Sequence, residues 1–365
     1  MGLYARLEAR LIEGLTPRQV RRLNPIPPRR ATGPLARLYR EIRRDFALVP
    51  PLTLLSQEPD LLAGVWAATR ESQMVSGQVP RHDKEAICSA VSTTNRCAYC
   101  EDAHLGMLAS LGGGKALPAI RDGEPAAIAS PRLRALVAWG LAIKSPQDPT
   151  HRDPPFTAAE APEIIGAALS FEFINRMAMV FLPDSPLPIQ MKAPRLRRAG
   201  VRVFGLMARG MTAKRLVPGA SLALLPPDTP PLDAPWAAAA PEVATAWGGL
   251  DAAMARAADG IPKAAKACLR ARLQAWNGEA MPLGNAWVEP QLDGMNPAET
   301  ASARLLLLTA LAPYAVGETA IRDFRRQYPD DRALLATTAW AAYRAARRVG
   351  EWLWPPGAEG GGHSW

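Results

Sequence analysis

The sequence predicts an all-α chain, and three observations carry that prediction. Helix starts are written out: Thr16-Pro17-Arg18-Gln19, Thr157-Ala158-Ala159-Glu160 and Asn296-Pro297-Ala298-Glu299 each place a side-chain acceptor ahead of a helix and Glu or Gln three residues later. Between such starts run Ala- and Leu-rich segments of roughly 12–25 residues. Runs of alternating, β-branched character bounded by hairpin turns are hard to find. Ser130-Pro131 adds a further start, a cap followed by proline at the first helical position.

Composition agrees with a folded chain. The 365 residues are 48% hydrophobic and 21% charged, which suits one large domain or two modest ones built around a sizeable core. The 36 prolines therefore punctuate helices. The longest charge-free apolar stretch, Leu305 to Val316, is well short of the ~18–20 residues a membrane helix requires, so no membrane span is expected. The amino terminus, Met-Gly-Leu-Tyr-Ala-Arg-Leu-Glu, lacks the apolar core of a secretory signal. Four cysteines, Cys88, Cys97, Cys100 and Cys268, are too few and too uneven for a disulfide framework, and the expected compartment is the reducing cytoplasm.

The net charge of +9 is concentrated in two segments. Residues 1–45 hold eleven Arg against Glu8, Glu13, Glu41 and Asp45, and Lys192 to Arg215 holds eight basic residues and no acid. Apolar residues interleave both at helical spacing (Leu3, Leu7, Leu11, Leu15; Val201, Phe204, Met207), and stacking motifs for bases are absent. Solvated or subunit-facing amphipathic helices are expected, with no nucleic-acid partner; copies of the chain could meet on them as a homo-oligomer.

Self-similarity divides the chain. Leu48-Val49-Pro50 with Leu54-Leu55 returns as Leu216-Val217-Pro218 with Leu224-Leu225. Trp66, Gly77 and Pro80 are echoed by Trp247, Gly260 and Pro262, and Arg176 by Arg344. The order is kept, which implies an internal duplication. The expected organisation is a basic helical arm at 1–30, a first repeat at 31–190, a second at 191–355, and a disordered tail at 356–365. Ser145 to Phe156 and Pro226 to Pro235 read as surface loops.

One segment carries chemistry: Glu85, then Cys97-Ala98-Tyr99-Cys100, then His104. On a helix starting near Asn95, Cys97 and Cys100 are three apart and Cys100 and His104 four apart, so the three share a face. A first helical turn offers free amide N–H groups and the positive end of the dipole, and an adjacent imidazole can accept a thiol proton. Such a pair can reduce a peroxide: one thiolate takes an oxygen to become a sulfenic acid, and the second thiol condenses with it to a disulfide. Glu85, on the preceding helix, is placed to serve the imidazole as part of a proton path.

At these residues the sequence resembles the alkylhydroperoxidase D (AhpD-like) family of the carboxymuconolactone decarboxylase superfamily. The match extends through Val91-Ser92-Thr93-Thr94-Asn95 and is strongest from about residue 57 to 112. The resemblance implies an AhpD-like helical bundle and a peroxidase that reduces organic hydroperoxides. It implies Cys100 as peroxidatic thiol, Cys97 as resolving thiol, and His104 with Glu85 as proton relay. It implies no metal or organic cofactor, and a dithiol reductant, a lipoyl or thioredoxin-like carrier. Tyr99 stands where some members carry a second His. The second repeat has Cys268 near the place of Cys88 but no C-x-x-C, and no His between His151 and His363, so it reads as a degenerate copy.

Blander readings are open beside this one. A structural zinc site could use Cys97, Cys100 and His104 with Cys88 or His82 as fourth ligand. Haem attachment fails because Glu101, not His, follows Cys100, and a thioredoxin-like dithiol lacks its strand-helix-strand context. Cys88 and Cys268 read as buried small hydrophobes, and His82, His151 and His363 as surface residues. Rival functions are a general dithiol-disulfide oxidoreductase and a helical scaffold with a vestigial motif. A lactone decarboxylase has no evident use for paired thiols.

Overall fold

The computed structural model describes residues 19–186 and 194–354. The Thr16 cap, the arm up to residue 18, His363 and the 356–365 tail lie outside the described residues. Among the described residues there is no β-strand.

The helices are Gly33–Asp45 (α1), Pro59–Thr69 (α2), Arg81–Thr94 (α3), Ala98–Ser110 (α4), Leu117–Asp122 (α5), Pro131–Leu141 (α6), Ala161–Phe181 (α7), Pro194–Thr212 (α8), Pro241–Ala257 (α9), Lys263–Ala275 (α10), Pro297–Leu311 (α11), Glu318–Gln327 (α12) and Asp331–Gly350 (α13), with shorter turns between. Two starts form as written: Asn296 and Glu299 make a reciprocal capping box, and the Ser130 side chain accepts from the Leu133 amide. The third differs. Glu160 bonds back to the Thr157 amide at 2.9 Å, but that turn stands alone and α7 begins after it. Pro162 has no N–H with which to continue the ladder from Thr157.

The core forms around α7, which is mostly apolar and buried on nearly every side, as a helix with protein all round it is. Its length and apolarity would suit a membrane, yet its most apolar 18-residue stretch, with mean hydropathy 1.5, is 94% buried inside the protein. Each large side chain there, such as Ile164, Ile165 and Leu169, contributes ~1.5–3 kcal/mol by leaving water. Helix α13 packs along α7, and α9 packs along α2. The second contact is close enough that a Cβ on Gly64 would lie 2.8 Å from the Leu250 Cα. Helix α3 packs on α6, and α10 packs on α11. Between α10 and α11 the helical structure is the short turn Glu289–Gln291.

Helix α2 runs directly into a π-helical turn, Arg70–Met74, a form that tends to appear at functional positions. Buried charge fixes it. Arg70 bonds Asp45 at 2.8 Å and Glu71 at 2.6 Å, and Glu71 accepts from the Ser221 hydroxyl at 2.6 Å and the Gly219 amide at 2.7 Å. The turn is thus tied to α1 and to the chain after α8.

Three expectations need correction. His151 is buried, not at the surface: the short helix Pro149–Arg152, capped by Asp148, turns its ring edge-on toward Trp139. His82 is half-buried and bonds Asp83. Cys268 is half-buried with its thiol against the Gln291 carbonyl, while Cys88 is fully buried.

The basic helix α8 is not simply solvated. Arg195, Arg198, Arg202 and Arg209 face out, but the opposite face lies on α4, and Arg197 grips Asp102 at 2.8 Å and Glu101 at 2.9 Å. Glycines allow this approach: a Cβ on Gly205 would fall 2.5 Å from the Gly106 carbonyl oxygen. Gly205→Ala should therefore force α8 off α4 and lower stability by about 1–3 kcal/mol, read from urea unfolding.

Candidate active site

The junction between α3 and α4 places the dithiol. Helix α3 ends in a Schellman turn: the Cys97 amide bonds the Ser92 carbonyl and the Arg96 amide bonds the Thr93 carbonyl, both at 3.0 Å. That turn needs a left-handed residue, and Arg96 supplies it at φ 56°, where glycine would be the easier choice. Cys97 then becomes the N-cap of α4, so the helix starts at Ala98 rather than near Asn95. Cys100 falls in the first turn and His104 one turn on.

The two sulfur atoms are 2.7 Å apart, as free thiols, and a disulfide at ~2.05 Å is a small movement away. Cys97 and Cys100 are only 1% and 2% exposed. They differ in what they face: Cys100 lines a cavity of about 410 Å³ and Cys97 does not. His104 lines the same cavity, with Phe171 edge-on to its ring at 4.3 Å. The remaining walls are largely apolar, among them Leu52, Met107, Phe204 and Met211, with Gln19, Thr69, Gln73, Arg81 and Tyr99 as the other polar residues. Helix α8 forms one side through Leu196, Val203, Phe204 and Met207.

Glu85 and His104, nineteen residues apart, meet at 2.6 Å between Oε2 and Nδ1. The other carboxylate oxygen accepts from Arg81 Nε at 2.6 Å and Gln73 Nε2 at 3.2 Å. Glu85 has no exposed surface. Burial pushes its carboxyl up, but the charges of Arg81 and His104 with their hydrogen bonds pull it further down, to about 2. A carboxylate on Nδ1 fixes the tautomer, with the proton on that nitrogen and Nε2 left as the basic one.

A second polar cluster lies behind the thiols. Asn95 Nδ2 donates to Glu172 at 2.7 Å and to the Asn175 carbonyl oxygen at 3.0 Å, and Asn175 Nδ2 donates to the Ser92 hydroxyl at 3.1 Å. Arg176 pairs with Glu172 at 2.5 Å. Burial pushes the Cys100 thiol well above its ordinary range and its hydrogen bond with Cys97 adds to that, while a hydrogen bond from the Asn175 amide opposes both.

The four residues singled out by spacing are thus at one place, with Glu85 on His104 and Cys97 on Cys100. No hydrogen bond joins His104 to either thiol; the cavity they line connects His104 with Cys100. Among the described residues no group of three or more His, Cys, Asp or Glu side chains is arranged to hold a metal ion. Sequence reasoning missed Gln73, Arg81 and Asn175. Arg81 had a signal, four residues ahead of Glu85 on a helix; Gln73 and Asn175 had none, since the π-turn and α7 bring them in from outside the motif.

Residues 60–140, from α2 through α6, match the carboxymuconolactone decarboxylase family. A protein of Mycobacterium tuberculosis named alkyl hydroperoxide reductase is 38% identical over 336 residues, covering 92% of this chain and 95% of that protein.

The lowered Glu85 carboxyl has a consequence in acid. Against an ordinary value of 4.5, it stabilises the fold fully above about pH 4.5, and that contribution is lost as pH falls toward 2. In urea unfolding between pH 5 and pH 2, Glu85→Gln should remove part of the acid-dependent loss, on the order of 2 kcal/mol. An unchanged slope would contradict this assignment.

Proposed function

Since the chain belongs to the carboxymuconolactone decarboxylase family and is an alkylhydroperoxidase-like oxidoreductase, we propose that it reduces organic hydroperoxides with Cys100 as the attacking thiol, Cys97 as the resolving thiol and His104 with Glu85 as the proton relay. The observation that carries the reading is the asymmetry of the pair: Cys100 faces the cavity with His104, and Cys97 stands behind it at 2.7 Å.

Buried as it is, the Cys100 thiol rests protonated, and the reaction begins when His104 Nε2 takes that proton. Glu85 stabilises the imidazolium that results. The first turn of α4 and the Asn175 amide favour the thiolate. The thiolate sulfur bonds the terminal oxygen of the hydroperoxide as the O–O bond breaks. The alkoxide leaves with that electron pair and takes the proton from His104 as an alcohol. Cys100 is now a sulfenic acid. The Cys97 thiol attacks its sulfur, water departs, and a disulfide remains. A dithiol carrier returns the pair to thiols by exchange. Of the two carriers the family suggests, a lipoyl arm is slender enough for an apolar cavity, whereas a thioredoxin-like surface would have to reach sulfurs almost without exposure. The same burial disfavours protein disulfides as substrates, and so a general oxidoreductase.

We further read the chain as two repeats, the second without the chemistry. The order α2, α3, α6, α7 is matched by α9, α10, α11, α13, and like packs on like where α2 meets α9 and α7 meets α13. The missing counterpart of α4 accounts for the loss of the motif.

Two substitutions test the thiol roles. Cys100→Ser should abolish the loss of two thiols per hydroperoxide when reduced protein is mixed with cumene hydroperoxide. Cys97→Ser should still react once, leaving a sulfenic acid that dimedone captures and mass spectrometry detects. Capture at Cys97 in Cys100→Ser would reverse the assignment.

A further inference from the structure

Two buried polar atoms on residues that line the cavity have no partner. Gln73 is 1% exposed, its amide nitrogen is spent on Glu85, and its carbonyl oxygen Oε1 is buried with no partner. Arg81 spends Nε on the same carboxylate oxygen, and its outer nitrogen Nη2 is likewise buried with no partner. Both residues line the cavity together with Cys100 and His104. An unpaired buried acceptor and an unpaired buried donor each cost about 1–3 kcal/mol, and groups kept so in a cavity are placed to receive something. The rest of the lining is mainly Met, Phe, Leu, Val and Pro, and of its other polar residues Gln19 is already paired with the Tyr99 hydroxyl and the Pro186 carbonyl.

We propose that Gln73 Oε1 and Arg81 Nη2 form the subsite for the –OOH group, with the organic group held in the largely apolar cavity of about 410 Å³. This rests on the peroxidase reading and adds to it what the oxygens touch. The terminal O–H of the hydroperoxide donates to Gln73 Oε1, which turns that oxygen toward sulfur. Arg81 Nη2 donates to the inner oxygen. As the S–O bond forms and the O–O bond breaks, negative charge gathers on that inner oxygen, so the arginine contact strengthens in the transition state. The proton that completes the alcohol comes from His104. The terminal oxygen keeps its own hydrogen and stays on sulfur as the sulfenic acid, so atoms and electrons balance. Because Gln73, Arg81 and His104 all bond Glu85, the subsite and the proton relay are held in one register.

The test uses the full chain with Arg81→Lys and Gln73→Met. Lysine can keep the ion pair with Glu85 but has no second nitrogen; methionine fills the volume but has no acceptor of this strength. For each, kcat/KM toward cumene hydroperoxide is compared with the rate at which the reduced thiols react with the disulfide reagent DTNB, and folding is checked by thermal melting. The expected result for Arg81→Lys is a loss of about 10²–10³-fold with hydroperoxide and little change with DTNB. Gln73→Met should lose at least about tenfold in the same selective way. Equal losses in both reactions would mean that the residues act on the thiols or the fold, and would overturn the subsite. Full hydroperoxide activity in both variants would overturn it alone and leave the peroxidase standing. Wild-type thiols inert to any hydroperoxide would overturn the peroxidase and the subsite together.

Discussion

Glu85 is a charge with no solvent, and the site is organised around keeping it charged. Three donors converge on its two oxygens, each from a different element: Gln73 from the π-turn, Arg81 from the first turn of α3, and His104 from α4. Removing any one leaves a buried carboxylate short of compensation, a penalty of several kcal/mol in well-studied cases. The three elements are therefore locked in relative position. The imidazole gains its tautomer, the guanidinium its orientation, and the cavity its polar end from one interaction. The Arg70–Asp45–Glu71–Ser221 network does similar work one turn earlier, holding the π-turn to α1 and to the chain beyond α8.

The thiols obey an opposing pair of demands. Deep burial pushes the Cys100 thiol well above its ordinary range, while the Asn175 amide pulls it the other way. On the proposed reading, the helix terminus, the Asn175 amide and an imidazole across the cavity favour the thiolate when a proton moves. On that reading the reactive state is one the protein enters rather than one it maintains.

Much of this was legible in the sequence, and what escaped did so for physical reasons. Helical character follows from local signals, caps and apolar spacing, and these survive in Asn296–Glu299 and Ser130–Pro131. The proximity of Cys97 and Cys100, and of Glu85 and His104, follows from spacing on two consecutive helices. Spacing puts the start of α4 near Asn95, three residues short of Ala98, because a non-glycine in the left-handed region gives no sequence warning, as at Arg96. His151 was misplaced because a lone polar residue after a proline-rich turn says nothing of which way the turn packs. Gln73, Asn175 and the α8 wall depend on contacts across many residues of chain, which periodicity does not encode.

The wall contributed by α8 comes from residues about a hundred positions beyond the thiols, yet on the same polypeptide. Floor and roof of the chamber are thus always present in equal number, and their meeting is an intramolecular event whose effective concentration does not fall on dilution. A wall supplied by a second molecule would come away as the protein became scarce; this wall stays with its thiols at any abundance of the protein.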